Sequence, residues 1–110
     1  SWKDTVKRRL TVSKPIYAAQ IALYQAYLEE QIPGISQNPA VFTAINKDTA
    51  ELYFEIVPFN GELAQRSSDR GVRIIQACDV QEWLPRVAKD AGHFECKFCA
   101  WQDRCWGGSA

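Results

Sequence analysis

Three cysteines near the end of the sequence stand at a spacing that can bind metal. Cys96-Lys97-Phe98-Cys99 followed by Cys105 makes a C-x2-C-x5-C array, enclosed by Phe94, Phe98, Trp101 and Trp106. Thiolates two residues apart converge on one point when a tight turn aims both sulfurs inward, and a third can reach that point from a short helical turn. Surrounding aromatics keep water out and tune a centre held there. A fourth ligand is needed, and Cys78 and His93, the only histidine, are the candidates. Spacing alone leaves zinc and an iron–sulfur cluster both open. With no signal peptide read at the start, four cysteines suit metal ligation better than disulfides. Free cysteines in a core are the plain alternative.

The second chemistry-bearing group is an amide and a phenol one helical turn apart, Gln20 and Tyr24. They lie in Pro15 to Gln31, the segment that must position them, which reads as a single amphipathic helix. Ser13 can cap its start, Pro15 suits a first turn, and Pro33-Gly34 stops it. Tyr17, Ile21, Tyr24 and Leu28 recur at helical spacing and predict the buried stripe, widened by Ile16, Leu23 and Tyr27. Gln20 joins that stripe. An amide buried there without partners costs about 1–3 kcal/mol, so the plain reading is a core glutamine bonded to nearby backbone.

Composition bounds the rest. A chain of 110 residues with 46% hydrophobic and 12% aromatic content is a globular domain with a modest core. The formal charge is zero, which excludes a strong global field for nucleic acid, but charge is unevenly placed. Across residues 1–14, Lys3, Lys7, Arg8, Arg9 and Lys14 face Asp4 alone. Lys7, Arg8, Arg9 and Lys14 are therefore candidates to follow a phosphate backbone, against the ordinary reading of a solvated surface. No apolar run approaches membrane-spanning length, and a cytoplasmic location with no membrane partner is expected. The missing initiator Met, in a chain with no Met at all, predicts a fragment.

Beyond the helix, Ala40 to Ile45 and Leu52 to Val57 read as strands joined by turn chemistry at Asn46-Lys47-Asp48-Thr49. Apolar residues on both faces of the strands predict that helices cover at least one face. Asn60 can cap a second helix from Glu62, weakened in its middle by Ser67, Ser68 and Gly71. An extended passage is expected at Trp83-Leu84-Pro85-Arg86. The fold class is α/β, with α+β as the variant. Residues 1–92 form the helix–strand body and residues 93–110 a cysteine-rich tail.

Gln20-Ile21-Ala22-Leu23-Tyr24 matches Q-h-x-x-Y, where h is apolar. Taken with the two-strand unit, the second helix, the Pro-Arg stretch and Glu-Cys-Lys-Phe-Cys ending in Asp-Arg-Cys-Trp, nearly the whole chain resembles the C-terminal half of RecB-like exonucleases of the PD-(D/E)XK superfamily. These include the CRISPR-associated RecB-like nucleases, the AddB nuclease domain and phage-type exonucleases. The resemblance implies a partial restriction-endonuclease-like fold and a DNA substrate. It also implies that Gln20 and Tyr24 support catalysis and that Cys96, Cys99 and Cys105 match three ligands of a four-iron–four-sulfur cluster, with zinc as the alternative.

Such enzymes hydrolyse phosphodiesters through magnesium or manganese held by an Asp and by the Glu of an E-x-K strand, both preceding Q-h-x-x-Y. Only fourteen residues precede Pro15, and none supplies those motifs. Glu95-Cys96-Lys97 fits E-x-K literally but sits among the tail cysteines and is not read as catalytic. The family's upstream cysteine is also missing. The expectation is thus the C-terminal part of a metal-dependent exonuclease, inactive as this chain alone. Its partners would be DNA, the missing nuclease half, or other repair, recombination, CRISPR or phage proteins. A non-catalytic zinc module binding nucleic acid or protein is the alternative, and a degenerate nuclease-like scaffold a third.

Overall fold

The computed structural model describes residues 1–107 and divides into two compact units, Ser1–Gly71 and Val72–Ala110. In the first unit, α1 (Trp2–Ser13) and α2 (Pro15–Tyr27) precede two 3-10 turns, Leu28–Glu30 and Ile35–Gln37. Strands β1 (Ala40–Ile45) and β2 (Leu52–Val57) follow, and α3 (Gly61–Asp79) runs from the first unit into the second. The second unit adds two short helices, α4 (Phe94–Lys97) and α5 (Gln102–Trp106). The architecture is mixed helix and antiparallel strand, an α+β arrangement. No described helix is long and apolar enough to cross a membrane.

Both strands occupy the residues that their β-forming composition predicts, paired antiparallel with Ala40 opposite Val57 and Ile45 opposite Leu52. The turn works as its residue types suggest: Asn46 Oδ1 accepts from the Asp48 N–H at 3.0 Å, and Ala50 takes the left-handed φ of 61° that closes the loop. Asn60 caps α3 as expected, its Oδ1 accepting from the Leu63 N–H at 3.0 Å. Gly71 and the two serines do not interrupt that helix, since one glycine costs only about 1 kcal/mol in a helix interior.

Three features of the key helix differ from expectation. Ser13 does not cap it; α1 continues through Ser13, whose hydroxyl donates back to the Arg9 carbonyl at 2.8 Å. Helical geometry tightens to 3-10 after Tyr27, and Gly34, at φ 89°, completes the stop. The buried stripe is Ala18, Ala22 and Gln25, with Ile21 half-buried, while Tyr17, Tyr24 and Leu28 are largely exposed. Alanines let the helix backbone approach its neighbours closely, so the bulky aromatics are left to flank the contact. Tyr17 does so by stacking on Phe42 with ring centroids 6.4 Å apart.

The first core is thin. Leu10, Ala18 and Val57 are buried together, with Ile21, Ala40, Phe42 and Leu63 packed around them. Leu10 gets there through a kink: Arg9 adopts φ 66° and ψ 169° inside α1. The kink frees the Leu10 N–H from the helical ladder, and the buried Glu55 carboxylate of β2 accepts it at 2.9 Å. The same oxygen accepts from the Tyr53 hydroxyl at 2.6 Å, and the Arg9 guanidinium lies 3.7 Å from the other. That hydrogen bond to Glu55 is the main reason that the Tyr53 phenol ionises above its ordinary range. Glu55→Ala would strand the Leu10 N–H and is expected to cost about 2–4 kcal/mol in urea melts. Glu55→Gln, which keeps an acceptor, is expected to cost less than half of that.

A second carboxylate organises the loop after α2. Glu29 accepts the Ser36 N–H at 2.9 Å and the Gly34 N–H at 2.7 Å. These two bonds, Ser36 first, hold its carboxyl below the usual range. The folded state therefore binds the proton less readily than the unfolded chain, so this contribution is complete above the ordinary carboxylate pKa and lost as pH falls through the depressed one. In an NMR pH titration the Gly34 and Ser36 amides are expected to hold their shifts until pH drops below the ordinary glutamate value, then move together. Glu29→Gln is expected to abolish that transition.

Candidate functional site

The cysteine tail is built from successive tight turns. His93 opens α4, its Nδ1 accepting from the Glu95 N–H at 3.4 Å while its carbonyl takes the Cys96 N–H at 2.9 Å. The Cys99 N–H then bonds the Cys96 carbonyl at 3.0 Å, the Gln102 N–H the Cys99 carbonyl at 3.2 Å, and the Cys105 N–H the Trp101 carbonyl at 2.9 Å. Each turn brings the next cysteine back toward the last. In result, Cys96, Cys99 and Cys105 line one cavity of about 120 Å³.

Arg86, from the extended passage, forms part of that cavity wall. Its Nε and Nη2 both donate to the Cys105 carbonyl, at 3.1 and 2.7 Å, and its guanidinium lies 4.5 Å from the Trp106 ring centre. A fixed positive charge thus stands where an anionic thiolate centre would sit. Gln102 adds a second tie, donating to the Ala91 carbonyl at 2.8 Å. The tail is clamped by polar contacts to backbone, with Cys96 the one buried residue among its described residues.

Three thiols on one apolar cavity beside a guanidinium suit a soft metal or an iron–sulfur cluster in donor chemistry. Among the described residues, however, no three His, Cys, Asp or Glu side chains already stand together as a metal site. Ligation would require the thiols to swing inward. Neither proposed fourth ligand lines the cavity: Cys78 is exposed on α3, and His93 spends its Nδ1 on the α4 cap. The further potential donor on the wall is Glu95.

In the first unit, Gln20 Nε2 donates to the Tyr24 hydroxyl at 2.6 Å, and both side chains face solvent. The pair is therefore not a set of core residues satisfied by neighbouring backbone; the buried amide of α2 is Gln25, which donates to the Asn38 carbonyl at 2.8 Å. Arg8 and Arg9 line a groove of about 680 Å³ with Glu55 and Asn60, whereas Lys14 lines a different one with Tyr17 and Phe42. Arg8 is paired with Asp4 at 3.2 Å and Arg9 faces Glu55. Lys7 and Lys14 make no ion pair among the described residues. Gln20 and Tyr24 line neither groove, so the amide–phenol pair and the arginines are not gathered into one pocket.

Sequence reasoning missed Glu55 and gave Arg86 no role. Glu55 could have been flagged as the lone carboxylate in Leu52-Tyr53-Phe54-Glu55-Ile56-Val57, at the same strand register as the inward Val57. Arg86 carries no comparable signal, because its partners are a carbonyl and a ring nineteen and twenty residues away. No family model matches this chain, and neither a curated protein nor a solved structure matches it.

Proposed function

We propose that this chain is the C-terminal, nucleic-acid-handling part of a RecB-like metal-dependent exonuclease, with a metal centre held by Cys96, Cys99 and Cys105. The observation that carries the reading is the lining of one cavity by all three of these cysteines, in a chain that also presents Gln20 and Tyr24 to solvent as a bonded pair. When bound, the centre supplies cross-linking rather than bond cleavage. Thiolates drawn onto it would fasten α4, α5 and the Arg86 passage, a region with little apolar burial to order it. Arg86 would offset the negative charge of such thiolates, and Trp106, on the same cavity wall, would limit water access.

On the nucleic-acid side, Lys7 and Arg8 would neutralise phosphates, and Lys14 would add a contact beyond α1. Gln20 and Tyr24 would hold the backbone near the scissile phosphate through the amide and the hydroxyl. The carboxylates that bind magnesium or manganese would come from outside residues 1–110. A zinc-bearing, non-catalytic interaction module is the second reading. What favours it is Glu95 on the cavity wall, since three sulfurs and one oxygen are a ligand set that zinc accepts.

Metal analysis and an absorption spectrum of anaerobically purified protein separate the two. Iron with sulfide and a broad visible band that bleaches on reduction is expected for the nuclease reading; stoichiometric zinc in colourless protein supports the second. Cys99→Ser is expected to release the metal and expose residues 94–106 to protease. Metal-free protein with unchanged proteolysis in Cys99→Ser would refute both.

DNA binding tests the basic helix. Lys7→Ala with Arg8→Ala is expected to weaken binding equally across sequences and to reduce the salt slope by roughly one unit per lost contact. Arg9 is left intact because its backbone and its Glu55 contact shape α1. The chain alone is expected to cleave no DNA with magnesium or manganese, and activity that survives repurification but is lost in Gln20→Ala would contradict the assignment of catalysis elsewhere.

A further inference from the structure

The two-stranded sheet buries one face and leaves the other open. Ala40, Phe42, Ala44, Tyr53, Glu55 and Val57 point inward, so Val41, Thr43, Ile45, Leu52, Phe54 and Ile56 alternate outward. The five large apolar residues of this outer face are 55–62% exposed, and no charged side chain interrupts them. An uncharged sheet face is unusual on a soluble surface, which normally places lysine or glutamate there. Its exposed apolar area is about 500 Å², within the range of functional patches.

We propose that this face is a self-association surface on which two copies of the chain pack sheet against sheet. The argument rests on the cross-strand register. The outward rows are Val41 opposite Ile56, Thr43 opposite Phe54, and Ile45 opposite Leu52. The two outer rows pair aliphatic with aliphatic, and the middle row pairs a large ring with a small side chain. A two-fold axis parallel to the strands, lying between two stacked sheets, sets β1 of one copy over β2 of the other. Phe54 of each copy then fills the hollow over Thr43 of its partner, while Val41 and Ile45 meet Ile56 and Leu52. The contact is isologous and closed, with apolar rows stacked about 10 Å apart as in a β-sandwich.

The alternative two-fold axis, across the strands, would stack Phe54 on Phe54 and leave Thr43 over Thr43 with a void. Steric complementarity thus selects one arrangement. A partner with a charged face would gain nothing from a surface that offers no counter-charge, and a second copy brings an equally uncharged one. Area sets the strength. About 500 Å² per copy is below the roughly 800 Å² of a standard interface, so the dimer is a weak one whose population depends on protein concentration. The inference does not depend on the nuclease or metal readings.

Sedimentation equilibrium of the whole chain under reducing conditions, from about 5 to 500 μM, tests it. A monomer–dimer equilibrium is expected, and Phe54→Asp is expected to raise the dissociation constant at least about 100-fold with its circular dichroism unchanged. An isotope-filtered NOE experiment on a mixed labelled and unlabelled sample needs no variant. It is expected to show cross-copy contacts between the Phe54 ring and the Thr43 methyl. A monomer throughout the range overturns the proposal, as does a dimer that lacks those contacts or survives in natively folded Phe54→Asp. Open-ended growth would mean pairing through the free strand edges and overturns it equally.

Discussion

One buried carboxylate decides how the first unit goes together. Glu55 points from β2 into the core and takes the Leu10 N–H, the Tyr53 hydroxyl and the approach of Arg9. Leu10 could not be buried at the end of an uninterrupted α1 without changing where the helix points. The kink at Arg9 makes the turn, and a backbone with positive φ on a non-glycine residue persists only when its surroundings over-determine it. The carboxylate both accepts the donor that the kink exposes and offsets the arginine beside it. Without it, the same backbone would leave an unsatisfied amide at the centre of the core.

Around that point the packing is close but small. Ala18 of α2 packs with Leu10 and Val57, and Ala22 is buried one turn further along. Small residues supply proximity rather than area, so polar ties carry more of the specification than in a leucine-rich core. Gln25 reaches Asn38, Glu29 gathers the Gly34 loop, and Tyr27 meets Ser68 at 2.8 Å. The same unit leaves the outer face of its sheet exposed, with Val41, Ile45, Leu52, Phe54 and Ile56 all turned away from this core.

The second unit follows another rule. Its short helices are held by turn hydrogen bonds, by Arg86 on the Cys105 carbonyl and by Gln102 on the Ala91 carbonyl. Local turn geometry suffices to bring cysteines at C-x2-C-x5-C spacing to one cavity, because each turn advances the chain by only three or four residues. It does not choose a fourth donor, which needs a partner from another segment. Cys78 and His93 illustrate this: one lies on the exposed side of α3, and the other is committed to capping the helix that carries Cys96.

What was legible in the sequence was local. The strand boundaries, the Asn46 turn, the Asn60 cap, Pro15 at the first turn of α2 and the turns that put the three tail cysteines on one cavity wall all follow from contacts within a few residues. Those contacts are set by side-chain type and spacing. Residues 1–14, read only as a basic segment, form α1, because Ser1 accepts the Asp4 N–H at its start and Leu10 gains a buried site. Which face of α2 is buried was decided by the tertiary structure: periodicity favours the aromatic stripe, but the side that packs with Leu10 and Val57 is the one carrying Ala18. Glu55 and Arg86 owe their roles to partners 45 and 19 residues distant. A sequence states which groups can bond, and only the folded chain states which of them are brought within reach.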